Sequence, residues 1–126
     1  MDARVRLGRR AEEMAAHFLE QVGMRIVARN WRRPEGELDL VAADSEGTHI
    51  FCEVRSRTGE SSGDPLETID ARKRARVIRA ARLYLSLGDE PTGATGYRFD
   101  VVAITFFEDH REPRIVHIPG AFEVDR

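Results

Sequence analysis

Apolar residues recur every three or four positions near the start of the chain. Ala11, Met14, Ala15, Phe18, Leu19 and Val22 fall on one stripe, which predicts a helix over residues 4–22 with Gly23 as its stop. The period then shortens to two. Residues 24–31 read as a strand and Pro34-Glu35-Gly36 as a turn. Residues 37–42 alternate, with Leu38 and Leu40 on one face and Glu37 and Asp39 on the other. Residues 49–57 alternate as well: Ile50, Cys52 and Val54 share one face, and Phe51, Glu53, Arg55 and Arg57 the opposite one. A polar turn at 44–47 joins the two runs, so they are expected to pair as a hairpin.

Beyond the hairpin, residues 58–64 are polar and rich in Gly and Ser, either a connector or a loop that orders over a substrate. Helical spacing returns with Val77, Ile78, Ala81, Tyr84 and Leu85. It predicts a second helix from Ala71, or from Pro65 at the earliest, to Leu87, capped by Asp64 or Asp70. After a loop at 88–96, residues 97–107 read as a strand, 108–113 as a turn and 114–118 as a last short strand, leaving a tail at 119–126. The order α-β-β-β-α-β-β implies an α/β (α+β) architecture, a central mixed β-sheet flanked by helices, in a single domain over residues 1–126.

A chain of 126 residues buries enough surface to fold without disulfides. Its one cysteine, Cys52, lies on an apolar strand face and is expected to be a buried, unreactive thiol. One cysteine fits a reducing compartment. No apolar run approaches the roughly 18 residues of a membrane span, and the first ten residues lack the apolar core of a signal peptide. The expectation is a cytoplasmic protein with no membrane association.

The net charge of −2, from 20 basic and 22 acidic residues, is not the basic balance of a bulk nucleic-acid binder. The distribution is more informative, because basic residues cluster at 4–10, 25–33 and 72–82. A divalent cation on an acidic site would also bring the balance to zero, so a nucleic-acid substrate is compatible with it. If the charged faces of the hairpin coincide, Asp39 and Glu53 become neighbours with Arg55 one step along. Two acids and a cation suit a divalent metal beside a phosphate; the same alternation also describes the solvated face of a half-buried hairpin. Glu12 flanks the first helical stripe, placed either to reach the sheet or to snorkel to water. Arg72, Arg76, Arg79 and Arg82 lie opposite the second stripe, as a solvated face or a phosphate-contacting ridge. Lys73, the one lysine against 19 arginines, instead flanks that stripe at the helix start. Asp100 reads as a partner for an arginine. His17, His49, His110 and His117 have no metal-ligand spacing; His49 opens a strand and the others read as surface residues.

Asp39, then 13 residues, then Glu53-Val54-Arg55, in this order of elements, resembles the PD-(D/E)XK nuclease superfamily, the restriction-endonuclease-like fold with its αβββαβ core. The closer resemblance is to the YraN-like uncharacterised protein family of bacteria, which is similar to archaeal Holliday-junction resolvases in carrying an extra Glu on the first helix. The matching stretches are residues 8–19, Arg29-Asn30-Trp31-Arg32, residues 36–41, Phe51-Cys52-Glu53-Val54-Arg55-Ser56-Arg57, Lys73 and residues 98–102, and together they span most of the chain. The resemblance implies that Glu12, Asp39 and Glu53 bind Mg²⁺, with Mn²⁺ as a substitute, and that the protein hydrolyses phosphodiester bonds, with branched DNA a candidate substrate. It places Arg55 where the superfamily has a lysine. Arginine binds phosphate oxygens bidentately but stays protonated, so it stabilises charge and cannot act as a base. Lys73 is then expected near the acids, supplying the compact cation. Arg55, Arg57, Arg72, Arg76 and Arg79 are the expected nucleic-acid contacts, and junction-cutting relatives imply a symmetric homodimer. The alternative is a non-catalytic nucleic-acid-binding or protein-interaction module on the same fold.

Overall fold

A computed structural model describes residues 2–59, 66, 69–87 and 96–124. The elements are α1 (Ala3–Gln21), β1 (Arg25–Arg33), β2 (Gly36–Ala43), β3 (Thr48–Thr58), α2 (Ala71–Ser86), β4 (Gly96–Phe106) and β5 (Arg114–Phe122). The strands form one sheet in the order β1-β2-β3-β4-β5. Only β3 and β4 are parallel, and α2 is their crossover; the other neighbours are antiparallel. The fold class expected from the sequence is therefore present: a mixed sheet with the αβββαβ order and a helix on each face. No described helix is long and apolar enough to cross a membrane.

α1 is capped by Asp2, whose carboxylate accepts from the Arg4 amide at 2.7 Å. Its small face, Ala11, Ala15, Ala16 and Leu19, packs on Leu40, Ala42, Ile50, Cys52, Val102 and Ile104. Val22, expected in this stripe, is the C-cap and is 53% exposed, because Gly23 turns the chain away there with φ 97. α2 starts at Ala71 rather than Pro65, with Asp70 as its cap through the Lys73 amide at 2.9 Å; Asp64 and most of the 58–64 loop lie outside the described residues. Val77, Ala80 and Ala81 bury α2 against Leu38, Val41, Phe51, Phe99 and Phe122. Leu85, expected in the stripe, is on its exposed rim.

One strand breaks the expected alternation. β1 and β2 pair from Arg25↔Ala43 to Arg33↔Gly36, but β2 pairs with β3 only from Ala43↔His49 to Leu40↔Cys52. Past that last rung the β1–β2 hairpin leaves β3 and leans on α2. Leu40 belongs to the α1 side of the core and Leu38 to the α2 side, so the expectation that they share a face is corrected. The strand rotates at Asp39. Across from it in β1, Asn30 adopts φ 49, a left-handed conformation that asparagine tolerates better than most residues. The two strands turn over together. At the hairpin tip a Cβ on Gly36 would stand 2.6 Å from the Arg76 carbonyl oxygen and 3.3 Å from Ala80 Cβ. Only glycine lets the tip lie this close to α2.

At the other edge, β5 continues through Pro119 to Phe122, where a tail was expected, and Phe122 stacks on Phe99 at 5.0 Å. The extension is held by Asp100, which is fully buried. Asp100 accepts from Arg98 Nε at 2.7 Å and Nη2 at 2.8 Å and from the Gly120 amide at 3.0 Å, and lies 2.8 Å from His117 Nε2. Burial alone would raise its carboxyl pKa; Arg98, His117 and the Gly120 N–H outweigh it and hold the carboxyl below its ordinary value. His117 is thus an internal partner rather than the expected surface residue.

Candidate active site

The divergence of β2 from β3 creates the site. Asp39 and Glu53 stand one residue beyond the last shared rung, on the two strands that separate there. The Asp39 carboxylate accepts from the Val54 amide at 2.9 Å, replacing the ladder bond lost where the strands part. Glu53 shares its face with Phe51 and is 1% exposed, so this is no solvated strand face. Neither Glu53 oxygen accepts a well-formed hydrogen bond among the described residues. Its charged neighbour is Lys73, from the first turn of α2, with Nζ 3.3 Å from Oε1 as an ion pair. Lys73 is thus beside the acids, where its flank position on the helix had put it. Arg55, two residues along the same strand face, is half-buried, and Arg57 donates through Nε to Thr105 Oγ1 at 3.2 Å.

The electrostatics follow from this crowding. Burial pushes the Glu53 carboxyl up to about 8, and the adjoining Asp39 carboxylate adds to the rise; the Lys73 ammonium opposes both without cancelling them. Glu12, reaching over from α1, is raised by partial burial and by Asp39 and Glu37, while a hydrogen bond from Asn30 and the charge of Arg32 pull it down. Glu37 itself pairs with Arg32 at 3.3 Å. Cys52, on the opposite face, is buried and its thiol is pushed well up by that burial, as expected of an inert residue.

These residues fit a hard divalent cation through two side chains. A buried carboxylate held by one ion pair and pressed against a second carboxylate offers the oxygen donors that an Mg²⁺-type ion prefers, with water or phosphate oxygens completing its shell. Glu12, from α1, is near enough to Asp39 for that charge to raise its carboxyl, while among the described residues no three His, Cys, Asp or Glu side chains form a ready-made group for one ion. Asn30 and Gly36 escaped the functional reading of the sequence. Both lie within stretches matched to a family, and Gly36 was read besides as a turn residue.

Beside the acids, an open groove of about 710 Å³ runs along α2, lined by Asp70, Arg72, Lys73, Ala75, Arg76 and Arg79. The three arginines are exposed and form no ion pair among the described residues. The structure therefore brings Asp39, Glu53 and Lys73 together and places Arg72, Arg76 and Arg79 along one wall leading to them.

Residues 11–104 match the family model described as "Uncharacterised protein family UPF0102". The chain is 45% identical over 131 residues to a UPF0102 protein of Acidothermus cellulolyticus, covering 95% of this chain and 96% of the relative. A UPF0102 protein of Nocardia farcinica is 46% identical over 116 residues, covering 92% and 88%. One of Pelotomaculum thermopropionicum is 45% identical over 123 residues, covering 96% and 98%.

Proposed function

This chain belongs to the uncharacterised protein family UPF0102, and we propose that it is a divalent-metal-dependent endonuclease that hydrolyses phosphodiester bonds of DNA. The observation that carries this reading is the buried Glu53 carboxylate beside the half-buried Asp39, with Lys73 against it and an arginine-lined groove alongside. Asp39 and Glu53 would hold Mg²⁺ or Mn²⁺. The ion, when bound, supplies Lewis-acid activation of water and neutralises phosphate charge. Lys73, released from its pairing with Glu53, would be the compact cation for a phosphate oxygen or the attacking water. Arg55, which stays protonated, stabilises the charge that builds on the phosphate and removes no proton. Arg72, Arg76 and Arg79 hold the backbone without reading bases, so little sequence preference is expected.

The ion pair between Lys73 and Glu53 favours a second reading in which the acids are structural and the protein only binds nucleic acid. Incubating linear, flapped and four-way-junction DNA with the protein in Mg²⁺, Mn²⁺ or EDTA separates the two. Metal-dependent cleavage that is absent from Asp39→Asn and Glu53→Gln supports the nuclease. Salt-sensitive binding without cleavage of any substrate supports the binding module.

A further inference from the structure

Of the basic cluster at 25–33, Arg33 has no role in the site described so far. The distal half of the cluster lies on the part of the hairpin that leaves β3 and crosses to α2. In a strand, neighbours point to opposite faces. Arg32 therefore faces Glu37, its partner at 3.3 Å, whereas Arg33 shares the face of Trp31. Trp31 packs on the α2 side of the core, edge-on to Tyr84 at 5.5 Å. The Arg33 guanidinium lies over its ring at 4.4 Å, and Nη1 also donates to the Arg32 carbonyl at 2.6 Å. Arg33 is exposed and forms no ion pair among the described residues. Its guanidinium is thus held over an aromatic platform, with no ion-pair partner among the described residues. Three residues further on, Gly36 fits against the backbone of Arg76, the residue whose side chain lines the α2 groove one turn after Lys73. The hairpin tip is seated beside the basic wall of the groove.

We infer that the tip of the β1–β2 hairpin is a second phosphate-contacting wall, with Arg33 on Trp31 receiving a nucleic-acid backbone that Arg76 holds from the α2 side. The occupant is a phosphodiester strand, since two cations without carboxylate partners on adjoining elements are complementary to a chain of phosphates and not to a neutral or basic peptide. Stacking on Trp31 limits the guanidinium's freedom, so less is lost when it binds an anion. The inference rests on the nucleic-acid reading above and extends its interface across the site.

Fluorescence anisotropy of a labelled oligonucleotide, titrated at several salt concentrations without divalent metal, tests it. The full-length protein is compared with Arg33→Ala, Arg76→Ala, the double variant, and Arg25→Ala as a control at the far end of β1. Arg33→Ala and Arg76→Ala should each weaken binding roughly three- to tenfold, and each should flatten the slope of log affinity against log salt by a little under one, as loss of one phosphate contact does. Arg25→Ala should match the wild type. Binding by the wild type, with Arg33→Ala indistinguishable from Arg25→Ala, overturns this inference and leaves the nuclease reading standing. Absence of any salt-sensitive binding by the wild type removes both. Arg33→Lys adds a further check, because a lysine retains charge without the flat stack: full affinity in that variant would overturn the platform role of Trp31.

Discussion

Replacing Glu53 by glutamine is expected to make the metal-free protein more stable at pH 8, although the residue is buried and its shape is conserved. The carboxyl ionises near 4.5 when unperturbed and is pushed up to about 8 in the fold, by burial first and by Asp39 second. Between those values the unfolded chain binds fewer protons at this residue than the folded one. Stability therefore falls as pH rises through the interval, and the group adds no pH dependence below it. A rise of this size corresponds to at most about 5 kcal/mol across the whole interval. Glutamine forgoes the ion pair with Lys73, and Asp39 is free to relax, so a net gain of roughly 2–3 kcal/mol at pH 8 is expected, with none below the unperturbed pKa. Urea unfolding followed by circular dichroism, in EDTA at a series of pH values from 4 to 8, measures it in both proteins. The wild-type curve should fall toward pH 8 and the Glu53→Gln curve should stay flatter, with the same m-value. Parallel curves, or a variant less stable than the wild type at pH 8, would refute the electrostatic description of the site.

Three further perturbations address the parts that support the pair. Lys73→Met should raise the Glu53 carboxyl further and lower metal-free stability at pH 8 by roughly 1–2 kcal/mol, read from the same unfolding curves; an unchanged midpoint would mean that the 3.3 Å contact contributes nothing. Gly36→Ala sets a methyl group against the Arg76 carbonyl and should cost about 1–3 kcal/mol; a thermal midpoint equal to the wild type would show that the tip does not rest on α2. Asp100→Asn strands Arg98 and His117 without their carboxylate and should cost roughly 3–5 kcal/mol. Because the Asp100 pKa is lowered, its contribution is fully present above the unperturbed 3.8 and is lost as pH falls through the lower folded value. The gap between wild type and Asp100→Asn should accordingly close only in strong acid, and a gap already closed at pH 5 would contradict the assignment.

Element order and both helical faces are legible in the sequence because amphipathic periodicity is a local signal, and Ala11, Ala15 and Leu19 or Val77 and Ala81 carry it openly. The hairpin register is legible for a similar reason: a polar turn of fixed length between two alternating runs leaves little choice of partner, and it puts Asp39 and Glu53 on neighbouring strands. What periodicity missed is where the alternation fails. Leu38 and Leu40 look like one face, yet the chain rotates between them at Asp39, with Asn30 in a left-handed conformation opposite and no glycine to announce it. A face with three charges and a phenylalanine reads as half-solvated from alternation alone. It is buried because β3 lies centrally in the sheet with α2 over it, which is a property of strand order and not of the strand itself. His117 and the strand extension to Phe122 were missed for a comparable reason: Pro119 and Gly120 look like the end of a strand, and it takes the buried Asp100, 20 residues from Gly120, together with the stacking of Phe122 on Phe99 to hold that segment in the sheet. The uniqueness of Lys73 in an arginine-rich chain was the one compositional cue that pointed correctly across the fold to Glu53.

The central claim is that Asp39 and Glu53 are a cation-binding pair. Isothermal titration of Mn²⁺ and Mg²⁺ into the wild type, Asp39→Asn and Glu53→Gln, at pH 6 and pH 8 and in buffers of different ionisation enthalpy, tests it most directly. The account predicts binding to the wild type that is tighter at pH 8, proton release at pH 6 as Glu53 gives up its proton, and loss of binding in both variants. Equal binding by all three proteins, or no binding by the wild type at pH 8 even with DNA present, would contradict it.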